Sequence, residues 1–212
     1  MSALRGWPSF PAELPDFDPD HAPALPHELF AEWLHDAGAG GFAPHAMTLS
    51  TVDENGDPDA RVLILKDVDS AGWYFATSAL SPKARQLAGR PRAALTFFWP
   101  HRARQVRVRG AVGPLDAAAS AADFRERPFA SRVEAFVGGQ SEVLASDNEL
   151  AEDVDRAERA LAADPGLVPG DWTRYRLTPE AVEFWQGRHD RRHVRLRYTA
   201  RDGGWHRERL RP

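Results

Sequence analysis

The sequence predicts a mainly β fold with helices (α+β), in which an antiparallel barrel is decorated by helical segments. Two observations indicate this class. Short apolar segments with a period of two follow one another and are joined by tight turns such as Asn55-Gly56. Segments with helical spacing are concentrated later in the chain, between residues 117 and 163. The tight turns disfavour a doubly wound parallel sheet, because parallel strands need long crossovers.

The first half of the chain is predicted to be an arm, a helix and a series of strands. Residues 1–26 are rich in proline and are expected to form an extended arm ahead of one domain over residues 27–212. Residues 27–37 carry apolar side chains at helical spacing and predict the first helix. Ser81 and Pro82 predict the start of a short helix, with serine as its cap. Strands are predicted over 46–52, 59–66, 73–77, 92–99 and 103–113.

The second half is predicted to contain helices followed by a return to strands. Helical stretches are expected over 117–127, 131–137 and 147–163. Strands are expected over 171–178, 181–187 and 193–200, and the turn at 202–204 leads into the last residues.

The composition argues against several classes of function. The net charge is −4, which disfavours a general nucleic-acid binder. The sequence has no cysteine, so disulfides, thiolate zinc sites and cysteine nucleophiles are excluded, and a reducing, cytoplasmic location is expected. No apolar run is long enough to cross a bilayer, and the N-terminus lacks the pattern of a signal peptide. The histidines lack zinc-ligand spacing, so no metal site is expected.

The two lysines stand out among the basic residues. Lysine and arginine together number 27, yet only Lys66 and Lys83 are lysines. Lysine is a compact charge and arginine a bulky planar fork, so the two are not interchangeable at a tight anion site. Either these lysines serve such a site or they were retained on the surface by chance.

The start of the short helix is a candidate phosphate site. Thr77, Ser78 and Ser81 supply hydroxyls, and Lys83 lies in the first helical turn. A cation there opposes the helix dipole unless an anion is bound nearby, whereas free backbone N–H groups attract phosphate. The alternative is an ordinary capped surface helix.

Two further pairs of residues are candidates for anion binding. Arg61 and Lys66 flank an apolar strand and are expected to point to opposite faces, although they are also consistent with ordinary strand-end charges. Arg127 and Ser131 are one helical turn apart and would hold a second anion together if the helix continues past Pro128.

The C-terminal region is rich in arginine. As a strand, it would place four basic side chains on one face, Arg191, His193, Arg195 and Arg197. The like charges would disfavour the imidazolium form of His193. Such a face calls for an anion or a partner subunit, and the alternative is a solvated basic strand. Phe184 and Trp185 weaken that alternative, because they would anchor the neighbouring strand in a core or against a flat ligand.

Together these motifs resemble one family, the pyridoxine/pyridoxamine 5′-phosphate oxidases. The segments that carry the resemblance are AMTLSTVDENGDPDARVLILK, FATSALSPKARQL, RQVRVRG, RPFASRVEAFVGGQS and VEFWQGRHDRRHVRLRY, and the match runs from about residue 27 to the C-terminus. The last segment, with its R-x-H-x-R element, is the most specific. The resemblance implies a split β-barrel homodimer with FMN bound at the subunit interface.

The resemblance also implies a role for each matching residue. Arg61 and Lys83 would grip the FMN phosphate, and the other cofactor contacts would come from Val62, Lys66, Ala76, Thr77, Ser81, Gln105, Gln140, Ser141, Trp185 and Arg195. The substrate phosphate would be held by Lys66, Arg127 and Ser131. Arg191 and His193 would lie over the pyridine ring as the catalytic residues.

The implied reaction converts pyridoxine or pyridoxamine 5′-phosphate into pyridoxal 5′-phosphate, with O2 as acceptor and H2O2 as product. Two alternatives remain open. One is a related flavin oxidase with another substrate, as in phenazine biosynthesis, and the other is a non-catalytic flavin- or haem-binding split barrel.

Four departures from the family pattern stand out. Pro82 replaces an arginine that usually helps to bind FMN, so weaker FMN binding is expected. Asp123 replaces a tyrosine that usually contacts the substrate phosphate, and a carboxylate there is expected to repel it. Arg192 and Val194 alter the arginine-histidine run, and WTRY at 172–175 replaces the usual W-G-G-Y/F.

Overall fold

The computed structural model describes residues 3–212 and confirms the predicted antiparallel, mainly β fold. Within these residues one curled antiparallel sheet contains nine strands, β1 Ala46–Val52, β2 Pro58–Ile64, β3 Asp67–Asp69, β4 Gly72–Ser78, β5 Arg92–Trp99, β6 Arg104–Pro114, β7 Trp172–Gln186, β8 Val194–Arg201 and β9 Gly204–Arg209. Five α-helices decorate it, α1 Pro26–Gly38, α2 Pro82–Gly89, α3 Ala117–Arg125, α4 Phe129–Val137 and α5 Asp147–Ala163. Short 3-10 turns lie at Ala3–Gly6, Pro19–His21 and Pro100–Arg102.

The long strand β7 organises the sheet. The order of paired strands is β2-β1-β5-β6-β7-β4-β3, and β7 also pairs with β8, which pairs with β9. β6 lies along the whole of one side of β7, while β4 and β8 share the other side, β4 near the start and β8 near the end. The sequence predicts two strands over 171–187, but the structure has one, because Pro179 occupies a position where β7 is bulged against β6.

The inner face of the sheet is packed by α1. Phe30 of α1 is fully buried, with its ring 4.7 Å from Phe97 and 5.5 Å from Trp73. Trp33 makes a T-shaped contact with Phe184 at 5.2 Å. Burial of each such side chain contributes about 1.5–3 kcal/mol. The arm that precedes α1 packs on the same core through Phe17, whose ring lies 5.0 Å from Trp33.

A second, smaller apolar cluster joins α3, α4 and α5. Its buried members are Phe124, Val133, Ala157 and Leu161. Trp172, the first residue of β7, packs against this cluster. The three helices are thereby fixed at the end of the sheet where β4 and β7 pair.

Two predicted boundaries are wrong in ways that affect the candidate site. β8 begins at Val194, so Arg191 and His193 lie in the loop before it and do not continue its face. α4 begins at Phe129 with Pro128 as its cap, so Arg127 lies in the connection between α3 and α4. Proline lacks the N–H that a continuous helix needs and disfavours a helical conformation in the preceding residue.

Gly110 of β6, opposite the bulge of β7, is required by close packing. A Cβ atom at this position would lie 1.9 Å from the carbonyl oxygen of Thr178, so Gly110→Ala is expected to destabilise the fold by about 2 kcal/mol. Gly113→Ala in the same strand is the control, because its Cβ would meet no atom within 4 Å. Urea unfolding would measure both, and equal stability of the two variants would show that the bulge can relax.

Candidate functional site

The buried ammonium of Lys83 is the centre of the first candidate site. Ser81 occupies the N-cap position of α2 without a side-chain capping hydrogen bond, and Pro82 is the first helical residue, which places Lys83 in the first turn. Lys83 is only 5% exposed. Its Nζ donates to Gln140 Oε1 at 2.6 Å and to Thr77 Oγ1 at 3.2 Å. Both partners are neutral oxygens, so they accept hydrogen bonds from the ammonium group but do not balance its positive charge.

Arg61 adds a second positive charge to this site. Its guanidinium Nη1 donates to Thr51 Oγ1 and to the carbonyl of Leu49, and it also pairs with Asp59. Burial and, to a smaller extent, Arg61 lower the pKa of Lys83 from 10.5 to about 8. Among residues 3–212, no carboxylate forms a hydrogen bond or ion pair with Lys83, although Asp59 acts on it over a longer distance. Two cations close enough to affect each other's charge, with one exposed carboxylate paired to Arg61, suit a bound phosphate.

Ser81 hydrogen-bonds with Thr77 of the Lys83 cluster (Lys83, Arg61, Thr77 and Gln140), and three other predicted cofactor residues are next to its members in sequence. Ser81 Oγ donates to the carbonyl of Ser78 and lies 3.4 Å from Thr77 Oγ1. Ala76 precedes Thr77 in β4, and Ser141 follows Gln140 with a positive φ of 73°. Val62 is next to Arg61 in β2 and is largely exposed.

Lys66 lies outside the Lys83 cluster. Its backbone N–H donates to the carbonyl of Tyr74, and its side chain is exposed beyond the end of β2. Arg61 points to the partly buried side of β2, toward Thr51 and Gln86. The two charges are therefore on separate parts of the surface, and the strand between them ends at Ile64.

Three predicted cofactor residues form a row on the outer face of the sheet. Gln105 of β6 pairs with Trp185 of β7, and Trp185 pairs with Arg195 of β8. Thr77, beside Lys83, pairs with Thr173 near the start of β7, so the row and the Lys83 cluster are separated by about 40 Å along this strand. No hydrogen bond within residues 3–212 connects the two groups.

Arg195 is held by a carboxylate. Its Nε and Nη2 both donate to Glu183 Oε1, at 3.0 and 2.7 Å. Arg197 likewise pairs with Glu208 at 2.8 Å. The prediction that three guanidiniums surround the imidazole of His193 is therefore wrong, because the glutamates on β7 and β9 neutralise two of them.

His193 and Arg191 lie in an aromatic corner at the end of β7. The His193 ring is 4.9 Å from the Trp185 ring and 5.9 Å from Phe10 of the arm. Its Nδ1 accepts a hydrogen bond from the backbone N–H of Arg188, so the neutral ring carries its proton on Nε2. Burial and Arg191 lower the pKa of His193, which favours the neutral imidazole near pH 7. Arg191 has a positive φ of 63° and its guanidinium lies over Phe10 at 5.9 Å.

The connection between α3 and α4 carries the other predicted anion site. Arg127 is 11% exposed, and its guanidinium stacks on the ring of Trp172 at 4.0 Å. Its Nη1 is buried and has no hydrogen-bond partner within the described chain. Ser131 lies in the first turn of α4, on the other side of Pro128.

Sequence reasoning missed two residues that shape these sites. Phe10 contacts Trp185, His189 and His193, but an isolated aromatic residue in a proline-rich arm carries no signal of such a contact. Trp172 stacks on Arg127. The sequence marks this residue only as the first of the WTRY segment, which does not indicate a contact with Arg127.

Two family models together match most of the chain. Residues 37–186 match the model described as pyridoxamine 5′-phosphate oxidase. Residues 172–212 match the model described as pyridoxine 5′-phosphate oxidase C-terminal dimerisation region.

Curated relatives are similar over almost their whole length. A pyridoxine/pyridoxamine 5′-phosphate oxidase of Pseudomonas paraeruginosa is 45% identical over 195 residues, which cover 91% of each chain. The protein of the same name in Azotobacter vinelandii is 44% identical over 194 residues, 90% of each chain.

Solved structures share the fold. PhzG from Burkholderia lata, in complex with tetrahydrophenazine-1-carboxylic acid, superposes with a TM-score of 0.86 at 26% identity, over 94% of this chain and 99% of that chain. A pyridoxamine 5′-phosphate oxidase-related, FMN-binding protein from Nostoc punctiforme gives 0.73 at 21% identity, over 87% and 96%, and it is evidence of the fold alone. Across residues 3–212, no helix is both long and apolar enough to span a membrane.

Proposed function

The chain belongs to the pyridoxamine 5′-phosphate oxidase family, and we propose that it oxidises pyridoxine 5′-phosphate or pyridoxamine 5′-phosphate to pyridoxal 5′-phosphate. The observation that carries this proposal is a pair of separate buried cations. Within residues 3–212, Lys83 has only neutral hydrogen-bond partners, and Arg127 has a buried nitrogen without a hydrogen-bond partner. The proposed reaction brings together two phosphates, one on the cofactor and one on the substrate, and each cation suits one of them.

The cofactor is FMN. Lys83, Arg61, Thr77 and Ser81 would hold its phosphate, with Gln140 and Ser141 beside them. Bound FMN would supply the two-electron oxidation of the substrate and pass the electrons to O2, which yields H2O2; with pyridoxamine 5′-phosphate the overall reaction also consumes one water and releases ammonia.

The protein is a dimer of identical chains in this proposal, as the match to the dimerisation region supports. The row of Gln105, Trp185 and Arg195 lies mainly within or beside that region, far along β7 from Lys83. A single cofactor in contact with both groups would take the Lys83 cluster from one copy and this row from the other.

The substrate would lie between the phosphate-binding residues and the aromatic corner. Arg127 and Ser131, with Lys66, would bind its phosphate. Arg191 and His193 would lie over the pyridine ring, where they orient it, and the neutral His193 offers its Nε2–H as a donor. These residues contribute orientation and electrostatics.

FMN binding is expected to weaken above pH 8. The pKa of Lys83 in the cofactor-free protein is about 8, so the ammonium that attracts phosphate is lost above that value. The Kd for FMN is expected to rise up to about tenfold per pH unit, until the pH reaches the raised pKa of Lys83 in the complex.

The same group affects folding stability with the opposite sign. Between pH 8 and 10.5 the unfolded chain binds more protons at Lys83 than the folded chain, so this group stabilises the cofactor-free fold as the pH rises.

Fluorescence titrations of FMN from pH 7 to 10 would measure the affinity. Lys83→Met should flatten the profile, and an unchanged profile would assign the effect to another group.

Aerobic turnover with added FMN tests the proposed reaction. Pyridoxine phosphate and pyridoxamine phosphate are offered separately, and aldehyde and peroxide are measured together. Equal yields of both products support the proposal. Tight FMN binding with no turnover of either compound would contradict it.

A second candidate function is oxidation of a tricyclic carboxylic acid. Its support is the 0.86 TM-score to PhzG, whose structure holds tetrahydrophenazine-1-carboxylic acid. That compound belongs in the same assay. Its oxidation, without oxidation of the B6 phosphates, would favour this function, and bound FMN without turnover of any compound would favour a non-catalytic flavin protein.

A further inference from the structure

We propose that Asp123 is a positioning residue that holds Arg127 ready for the substrate phosphate by anchoring Trp172. This inference rests on the proposed role of Arg127 in substrate binding. It reverses the expectation from sequence, in which the carboxylate of Asp123 faces the phosphate and repels it.

The first observation is the hydrogen bond that Asp123 accepts. Asp123 is 7% exposed, and its Oδ2 lies 3.0 Å from the indole Nε1 of Trp172. The indole N–H is a donor only, so a carboxylate is a strong partner for it in a buried place. The bond joins α3 to the first residue of β7 and fixes the plane of the indole ring.

The second observation is that this ring supports Arg127. The guanidinium carbon of Arg127 lies 4.0 Å from the centre of the Trp172 ring, within the range of a cation–π contact. The buried ring of Phe124 also contacts this guanidinium, with its centre 5.9 Å from the guanidinium carbon. Asp123 also acts on Arg127 through its charge, more weakly than Glu134 does.

The third observation is that Arg127 retains an unused donor. Its Nη1 is buried without a partner, and its ion pair with the exposed Glu134 is long, at 3.7 Å. A buried donor without a partner is costly, and a ligand that accepts its hydrogen bond is one way to offset that cost. Trp172 therefore orients the guanidinium while leaving this nitrogen free, and Asp123 keeps Trp172 in place.

The two hypotheses for the role of Asp123 predict changes of opposite sign in the affinity for phosphate ligands. If Asp123 positions Arg127, Asp123→Ala weakens binding of phosphate ligands. If its charge repels the ligand, the same change strengthens binding. We expect the Kd of pyridoxal 5′-phosphate to rise about tenfold in FMN-loaded protein, a change typical of one lost buried hydrogen bond.

The experiment measures this Kd, and that of inorganic phosphate, by flavin fluorescence in the FMN-loaded dimer. Asp123→Asn keeps an oxygen for the indole N–H and should stay within about threefold of the parent, since only the charge is lost. Asp155→Asn, an exposed carboxylate on α5, is the matched control and should have no effect. In the Arg127→Ala background, Asp123→Ala should have no further effect on either Kd.

Each outcome of these measurements supports or overturns the proposed role of Asp123 or the proposed function. Unchanged or tighter binding in Asp123→Ala overturns the inference, as does binding in Asp123→Asn that is clearly tighter than in the parent, or a full effect of Asp123→Ala without Arg127. If Asp123→Ala does not fold, Asp123→Asn with near-parental affinity still supports the inference against repulsion. Phosphate binding without oxidation of a B6 phosphate would refute the proposed function alone. Failure of the parent to bind either ligand would overturn both.

Discussion

Lys83→Met is expected to weaken FMN binding about 100-fold, equivalent to about 2.7 kcal/mol, while leaving the fold intact. The variant removes a buried ammonium that has no carboxylate partner and keeps most of the apolar stem in place. A charge-assisted contact to phosphate contributes more than a neutral hydrogen bond, and Arg61 alone cannot replace it because Asp59 already pairs with it. Quenching of FMN fluorescence would give the Kd.

The other lysine of the chain is the matched control. Lys66→Met removes the same charge from an exposed position, and any backbone contact of Lys66 to the cofactor is retained. Its Kd for FMN is expected to stay within about threefold of the parent, since exposed charges contribute little. Equal losses in the two variants would mean that net charge, and not the buried Lys83 geometry, determines the affinity.

Arg191→Ala is expected to lower kcat/KM for the phosphorylated substrate about 100-fold and to leave FMN affinity unchanged. Arg191 lies in the loop before β8, beside His193 and Phe10, and away from the Lys83 cluster. Loss of its guanidinium removes one of the two groups proposed to orient the pyridine ring. Steady-state kinetics with a parallel FMN titration would separate the two effects.

Arg192→Ala tests whether the position of the charge matters. Arg192 is adjacent in sequence, but its side chain is 83% exposed and paired with Asp190. This variant should retain turnover within about twofold, as is typical of an exposed ion pair. Full activity of Arg191→Ala would show that the catalytic assignment of the loop is incorrect.

The strands and helices were largely predictable because their signals are local. The spacing of apolar residues indicated β5 at Arg92–Trp99 and α5 at Asp147–Ala163 with their observed boundaries. Ser81 and Pro82 likewise indicated the start of α2, since capping depends on neighbouring residues. The predicted break between two helices at Pro128 is present, but each helix boundary beside it differs by two residues, because α3 ends at Arg125 and α4 begins at Phe129.

The candidate site was predictable as a set of residues but not as an arrangement. The rarity of lysine in the sequence singled out Lys83, and the structure shows this residue buried. By contrast, a shared face for Arg191 and Arg195 assumed a strand that begins only at Val194. A period of two describes a strand once it exists, but pairing with β7 determines where β8 begins.

The sequence by itself determined the fold class, the order of elements and the charged residues available for binding, because these depend on composition and short-range periodicity. The tertiary structure alone decided the partners of those charges. Gln140 reaches Lys83 across 57 positions and Trp172 reaches Asp123 across 49. Such contacts depend on how the sheet curls and how the helices dock on it. No local sequence pattern indicates which distant side chain will accept a hydrogen bond from a given donor. For this reason Asp123 is expected from sequence to oppose the substrate, whereas in the folded chain it supports the residue proposed to bind it.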